Sequence, residues 1–177
     1  PLQVSNIALS GLKITQLESE LKPPKEPPLT LPELLPLPVH IVFEHVEVLD
    51  FHFYADQQSP SFEISSAVFR GELGPDNISV QIVAFNSPLV QVSGSLESEP
   101  SQGYATDSKT DWLLRLPDMP RVEGSLALTG NTDGFDYVLT GNLRDDRFGD
   151  FSLTANGTAN LTTLQLQTLI VEHGQSP

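Results

Sequence analysis

Apolar and polar positions alternate with a period of two along most of this chain. From Val39, "VHIVFEHVEVLDFHFYAD" sets Val39, Ile41 and Phe43 on one face and continues with Val46 and Val48. It then resumes in the other phase as Leu49, Phe51 and Phe53. Such alternation marks a strand with one face turned away from water, and the slip of phase implies a turn or bulge between Glu44 and Asp50. Further alternating stretches follow, with Phe62 and Ile64, then Ile78, Val80 and Ile82, then Val90 and Val92. Near the start, Ile7 and Leu9 alternate and, across Gly11, so do Leu12 and Ile14. That pattern predicts one edge-like strand kinked at the glycine. Beyond Asp111, "VEGSLALTGNTDGFDYVLTGNLRDDRFGDFSLTANGTANLTTLQLQTLIVEHG" reads as short strands of about five to eight residues separated by turn residues.

Three interruptions organise these strands. Residues 21–38 are dense in proline, which neither donates to a ladder nor sits inside a helix, so they form a connector. Within it Thr30-Leu31-Pro32-Glu33 has the form of a capping box, predicting a single helical turn over 32–35, with a polyproline spacer as the alternative. The polar stretch "SEPSQGYATDSKTD" predicts a loop over 99–111 and the best internal boundary. Asn131-Thr132-Asp133-Gly134 and Asp145-Asp146-Arg147 read as hairpin turns. The expected organisation is therefore a leading strand (1–20), the connector (21–38), a first β region (39–98), the polar loop (99–111) and a second β region (112–177). "ISVQIVAFNSPLVQVSGSLES" and "LTTLQLQTLIVEHGQSP" share a strand–turn–strand pattern, which suggests an extensible, repeating β structure.

Charge narrows the partners. Nine Lys and Arg against 23 Asp and Glu give a formal net charge of −14 over 177 residues. Nucleic-acid binding needs a basic patch that releases counterions, and the basic residues here are scattered, so no nucleic-acid partner is expected. No apolar run approaches the roughly 20 residues needed to cross a bilayer as a helix, so no transmembrane segment is expected. The opening "PLQVSN" carries neither a basic n-region nor an apolar h-region, and the chain reads as a piece of a longer protein.

Reactive chemistry is thin. The chain has no cysteine, so disulfides, thiolate zinc sites and cysteine nucleophiles are excluded together. His40, His45, His52 and His173 lack metal-ligand spacing, and half-exposed strand positions account for His40 and His52. Asp133, Asp136, Asp145, Asp146 and Asp150 lack the spacing of a helix-loop-helix calcium site and suit turns. No nucleophile elbow, P-loop or dinucleotide fingerprint is present. No catalytic residues, metal or cofactor are expected, and the chain does not read as an enzyme. Three tripeptides beginning at Asn77, Asn156 and Asn160 fit the glycosylation pattern, which arises often by chance in such a composition.

One resemblance is carried by specific residues. "LPLPVHIVFEHVEVLDFHFYAD" resembles the entry that opens repeats in the TamB/AsmA-like family, and "FSLTANGTANLTTLQLQTLIVEHG" is similar to that family's recurrent unit. "YVLTGNL" is similar to its L-x-G-x-L strands. The resemblance implies a long, curled β-sheet in the periplasm of Gram-negative bacteria, anchored in the inner membrane by parts outside this chain. It further implies a role in outer-membrane protein assembly or in phospholipid transport between the two membranes, with the outer-membrane barrel protein TamA engaged by other parts of the full-length protein. Phospholipid acyl chains are then the expected ligand.

Strand alternation supplies a physical counterpart. An elongated, curled, antiparallel-rich all-β sheet without a covering layer would present an open hydrophobic groove about the width of an acyl chain. The candidates to line it are Ile41, Phe43, Val80, Ile82, Val90, Val92, Leu126, Leu128, Tyr137, Leu139, Phe151, Leu153, Leu164 and Leu166. A closed β-sandwich, in which the same residues fill a core and the chain is an acidic binding or adhesion module, is the alternative.

Overall fold

A computed structural model describes residues 2–15, 39–55, 61–117, 119–145, 149–160 and 162–174. These residues are nearly all strand. Three short strands come first: β1 (Leu2–Val4), β2 (Ile7–Ser10) and β3 (Lys13–Thr15). Longer ones follow as β4 (Ile41–Tyr54), β5 (Phe62–Leu73), β6 (Ile78–Asn86) and β7 (Val90–Glu99). A 3₁₀ turn (Pro100–Gln102) then leads to β8 (Ala105–Leu114), β9 (Val122–Asn131), β10 (Gly134–Asp145), β11 (Gly149–Ala159) and β12 (Leu164–Gly174). The helical turn expected over 32–35, and residues 146 and 147 of the second hairpin turn, lie outside the described residues.

All twelve strands belong to one sheet. From β5 to β12 each strand pairs antiparallel with its predecessor, and β1, β2 and β3 lie in succession, parallel, along the outer side of β4. The two ends of the sheet do not pair with each other, so it is an open, curled sheet and the closed sandwich is ruled out as its architecture. No boundary divides it near residue 100, because the pairing of β7 with β8 is as continuous as that of any other neighbours.

Local chemistry explains the details. The phase slip in β4 is a bulge: Phe43 pairs with Gly71 but Val46 with Phe69, so Glu44 and His45 stand opposite the single residue Arg70. β6 carries a matching bulge at the same level. Phe69 pairs with Ile82 and Val68 with Ala84, which leaves Val83 as an extra residue on that side, and a register shift on the β7 side falls between Ile82 and Phe85. Together they form a seam across four strands, and bulges bend and twist the strands that hold them. The leading strand does break at Gly11, whose φ is +68°. Its partner β4 has Asp50 at φ +52° beside the break, where the Gly11 N–H donates to the Leu49 carbonyl.

Residues 99–111 depart from expectation. Only the short turn up to Tyr104 is non-strand, and Ala105–Leu114 is a regular strand paired on both sides. Ser108 stands level with Leu96 and Leu128 and Thr110 with Leu126, while Thr106 lies between Ser98 and Gly130. Hydropathy therefore misses a strand that β-branched side chains and the two flanking ladders support. The Asn131–Gly134 turn is a tight hairpin, with the Asp133 N–H donating to the Asn131 side chain.

Candidate functional site

Register determines which side chains stand together. One lateral row runs Phe43–Gly71–Val80–Leu96–Ser108–Leu128–Tyr137–Gly157–Leu166, one residue from each of nine strands. A second runs Val46–Phe69–Ile82–Gly94–Thr110–Leu126–Leu139–Ala155–Leu169. Cα partners point to the same side of a sheet, and rows two residues apart share a face. Continued outward, the same pairing carries Ile41 through Ile78 and Phe135 to Leu164. It also carries Phe85 through Val92 and Trp112 to Leu153, and Val90 through Leu114 and Leu143 to Phe151.

All fourteen candidate residues thus lie on one face, spread over β4, β6, β7 and β9–β12. The opposite face is mainly polar: Glu72, Ser79, Gln81, Ser95, Lys109, Asp111, Asn142, Asn156 and Glu172 all fall there.

Among the described residues no second layer covers the apolar face. Among these residues only three hydrophobic ones are buried, Ala67, Tyr137 and Ala155, and no large side chain is fully buried. Most of the face is half-exposed, and along β12 it is open: Leu164 is 72% and Leu166 56% exposed. Near the other edge a hollow of about 400 Å³ is walled only by apolar side chains, among them Val4, Ile7, Ile41, Phe43, Val46 and Val80. Larger hollows also exist, and one lies against Asn86, Ser93, Asp111, Thr140 and Asn142, where polar side chains mix with Ala84 and Leu113.

Two aromatic residues floor the apolar face. The Trp112 ring lies against Gly124 and Gly141: its Cζ2 is 2.6 Å from where a Cβ on Gly124 would stand. The Tyr137 ring lies over Gly157, and its hydroxyl donates to the Gln165 carbonyl of β12 at 3.3 Å. Glycine on one strand with an aromatic ring laid across it from the next covers backbone that would otherwise be bare. Tyr137 was among the sequence candidates and Trp112 was not. Its signal, the Trp112–Leu114 alternation, was legible only once the polar stretch before it was recognised as strand.

Polar chemistry stays at the margins. His40 Nε2 is 3.2 Å from Glu72 Oε2, and His52 is 3.9 Å from Glu63, both pairs substantially exposed. Among the described residues no three His, Asp or Glu side chains gather as a metal site, and no buried side-chain polar atom lacks a partner. No helix among them is long and apolar enough to cross a membrane. What the face can do is remove apolar surface from water, at about 0.8 kcal/mol for each methylene covered.

No family model, curated protein or solved structure matches the chain.

Proposed function

We propose that this chain is a periplasmic segment of a TamB-like intermembrane protein that carries phospholipid acyl chains along its apolar face. In that role it supports phospholipid transport between the inner and outer membranes, or assembly of outer-membrane proteins. The observation that carries the reading is a single open sheet with one mainly apolar face, interrupted at β8 by Thr106, Ser108 and Thr110, and an opposite face that is mainly polar. A monomeric soluble protein rarely leaves so large a contiguous apolar surface uncovered. An acyl chain suits it because lipid tails need burial without directional hydrogen bonds, and the face supplies burial alone. No side chain acts as a reagent. Contact with the outer-membrane barrel TamA belongs, on this reading, to other parts of the full-length protein.

Native mass spectrometry of the chain purified from a bacterial envelope, with extraction of bound lipid, tests this. Co-purifying phospholipid that falls severalfold in Leu139→Asp or Leu153→Asp, with the circular dichroism spectrum unchanged, is the expected result. Lipid-free protein, or a lipid content indifferent to both substitutions, would sink the proposal.

A further inference from the structure

We infer that Ser108 and Thr110 on β8 form a seat for the ester carbonyls of a diacyl lipid, which holds a carried phospholipid with its polar junction over β8 and its tails on the apolar rows beside it. On the acyl-chain reading above, on which this rests, β8 fixes where and by what chemistry the lipid is held. No other strand from β6 to β12 turns three hydroxyl residues toward the apolar face, as β8 does with Thr106, Ser108 and Thr110. Threonine suits any strand because it is β-branched, which leaves Ser108 without such a reason. Leu96 and Leu128 flank Ser108 in its row, and Leu126 stands beside Thr110, so alkyl chains have apolar ground next to both hydroxyls.

The three hydroxyls differ in what they bond. Thr106 Oγ1 donates to the Tyr104 carbonyl at 2.7 Å and stands 3.2 Å from Ser98 Oγ, so it is satisfied within the protein. Ser108 is only 8% exposed, yet its hydroxyl and that of Thr110 make no hydrogen bond within the described residues. Ser108 Oγ is not sealed off, since no buried side-chain polar atom lacks a partner, and it opens onto the apolar face. An alkyl chain laid across β8 would strip water from both hydroxyls and offer no acceptor in return, which is unfavourable. A group that places acceptors between alkyl chains removes that penalty, and the two ester carbonyls of a diacyl lipid are such a group. The two hydroxyls stand two residues apart and point to the same side, so each can donate to one carbonyl oxygen. Lys109, between them, belongs to the opposite face, so a neutral carbonyl fits the seat better than a fatty-acid carboxylate.

Native mass spectrometry of the full chain, mixed with a diacyl phosphatidylethanolamine or with its dialkyl ether analogue of equal chain length, tests the seat. The ether lipid keeps the tails and headgroup but lacks both carbonyls. The wild-type chain should retain the ester lipid roughly two- to tenfold more than the ether lipid, the worth of one neutral hydrogen bond. Ser108→Ala combined with Thr110→Val changes side-chain size little and should erase that preference, while retention of the ether lipid stays level or rises. Equal retention of both lipids by the wild-type chain would overturn the ester seat and leave the acyl-chain reading standing. A preference that survives the double substitution would do the same, and retention of neither lipid would sink both. The wild-type comparison decides the matter even if the double variant fails to fold.

Discussion

At the scale of single residues, a glycine with a ring laid over it solves a problem that a one-layer sheet cannot give to a second layer. In a sandwich the facing sheet would cover bare backbone at Gly124 and Gly157, but here Trp112 and Tyr137 do so from neighbouring strands. A Cβ on Gly124 would meet the Thr140 carbonyl as well as the indole, so Gly124→Ala should destabilise the fold by about 1–3 kcal/mol, the range for overpacking. Urea unfolding followed by Trp112, the only tryptophan, would measure it directly. Tyr137 gives a graded pair. Tyr137→Phe loses one hydrogen bond to β12 and should cost about 0.5–1.5 kcal/mol. Tyr137→Ala also uncovers Gly157 and should cost about 3 kcal/mol, at the low end for a buried aromatic because the site is partly open. Equal losses in the two variants would mean that the ring covers nothing.

Among the elements, the seam of bulges through β4 and β6 is the feature that departs most from a regular ladder. Deleting Val83 would leave Ile82 and Phe85 on the apolar face and Ala84 and Asn86 on the polar one, while removing the extra residue that bends β6. The variant should fold with unchanged strand content and a larger maximum dimension in small-angle scattering. An unchanged dimension would show that the curl arises elsewhere. The sequence announced the β4 bulge, since Val46 and Val48 fall out of step with Phe43, and the apolar positions it named on β6, β7 and β9–β12 share one face by register. It hid β8, whose inward positions hold Thr106, Ser108 and Thr110. Nor could it distinguish one layer from two, because Leu126, Leu139 and Leu153 alternate identically whether another sheet or nothing lies above them. The rings over glycine escaped it for a related reason: Trp112 and Gly141 are neighbours only through the intervening β9.

Across the whole molecule the two faces set opposing demands. The polar face carries much of the −14 charge on a thin sheet, where like charges repel in the folded state more than in an expanded chain. Sodium chloride should therefore raise the urea midpoint of the wild-type chain, and a midpoint that falls or stays level would contradict this. The apolar face makes the opposite prediction for an uncharged probe: a dye that fluoresces on exposed hydrophobic surface should bind the native state, and added phospholipid should displace it.

The connectivity described for the sheet also sets the order in which the chain can become structured. From β5 to β12 every strand finds its partner in the one just before it, so the ladder can grow by successive short loop closures in the direction of synthesis. β1 to β3 are different, since they pair with β4 in parallel across a much longer sequence separation, a slower closure in chain-entropy terms. In stopped-flow refolding, removal of residues 1–15 should delete a late phase while leaving the main one unchanged. The meander would then be an autonomous folding unit, able to be laid down strand by strand as the chain is made.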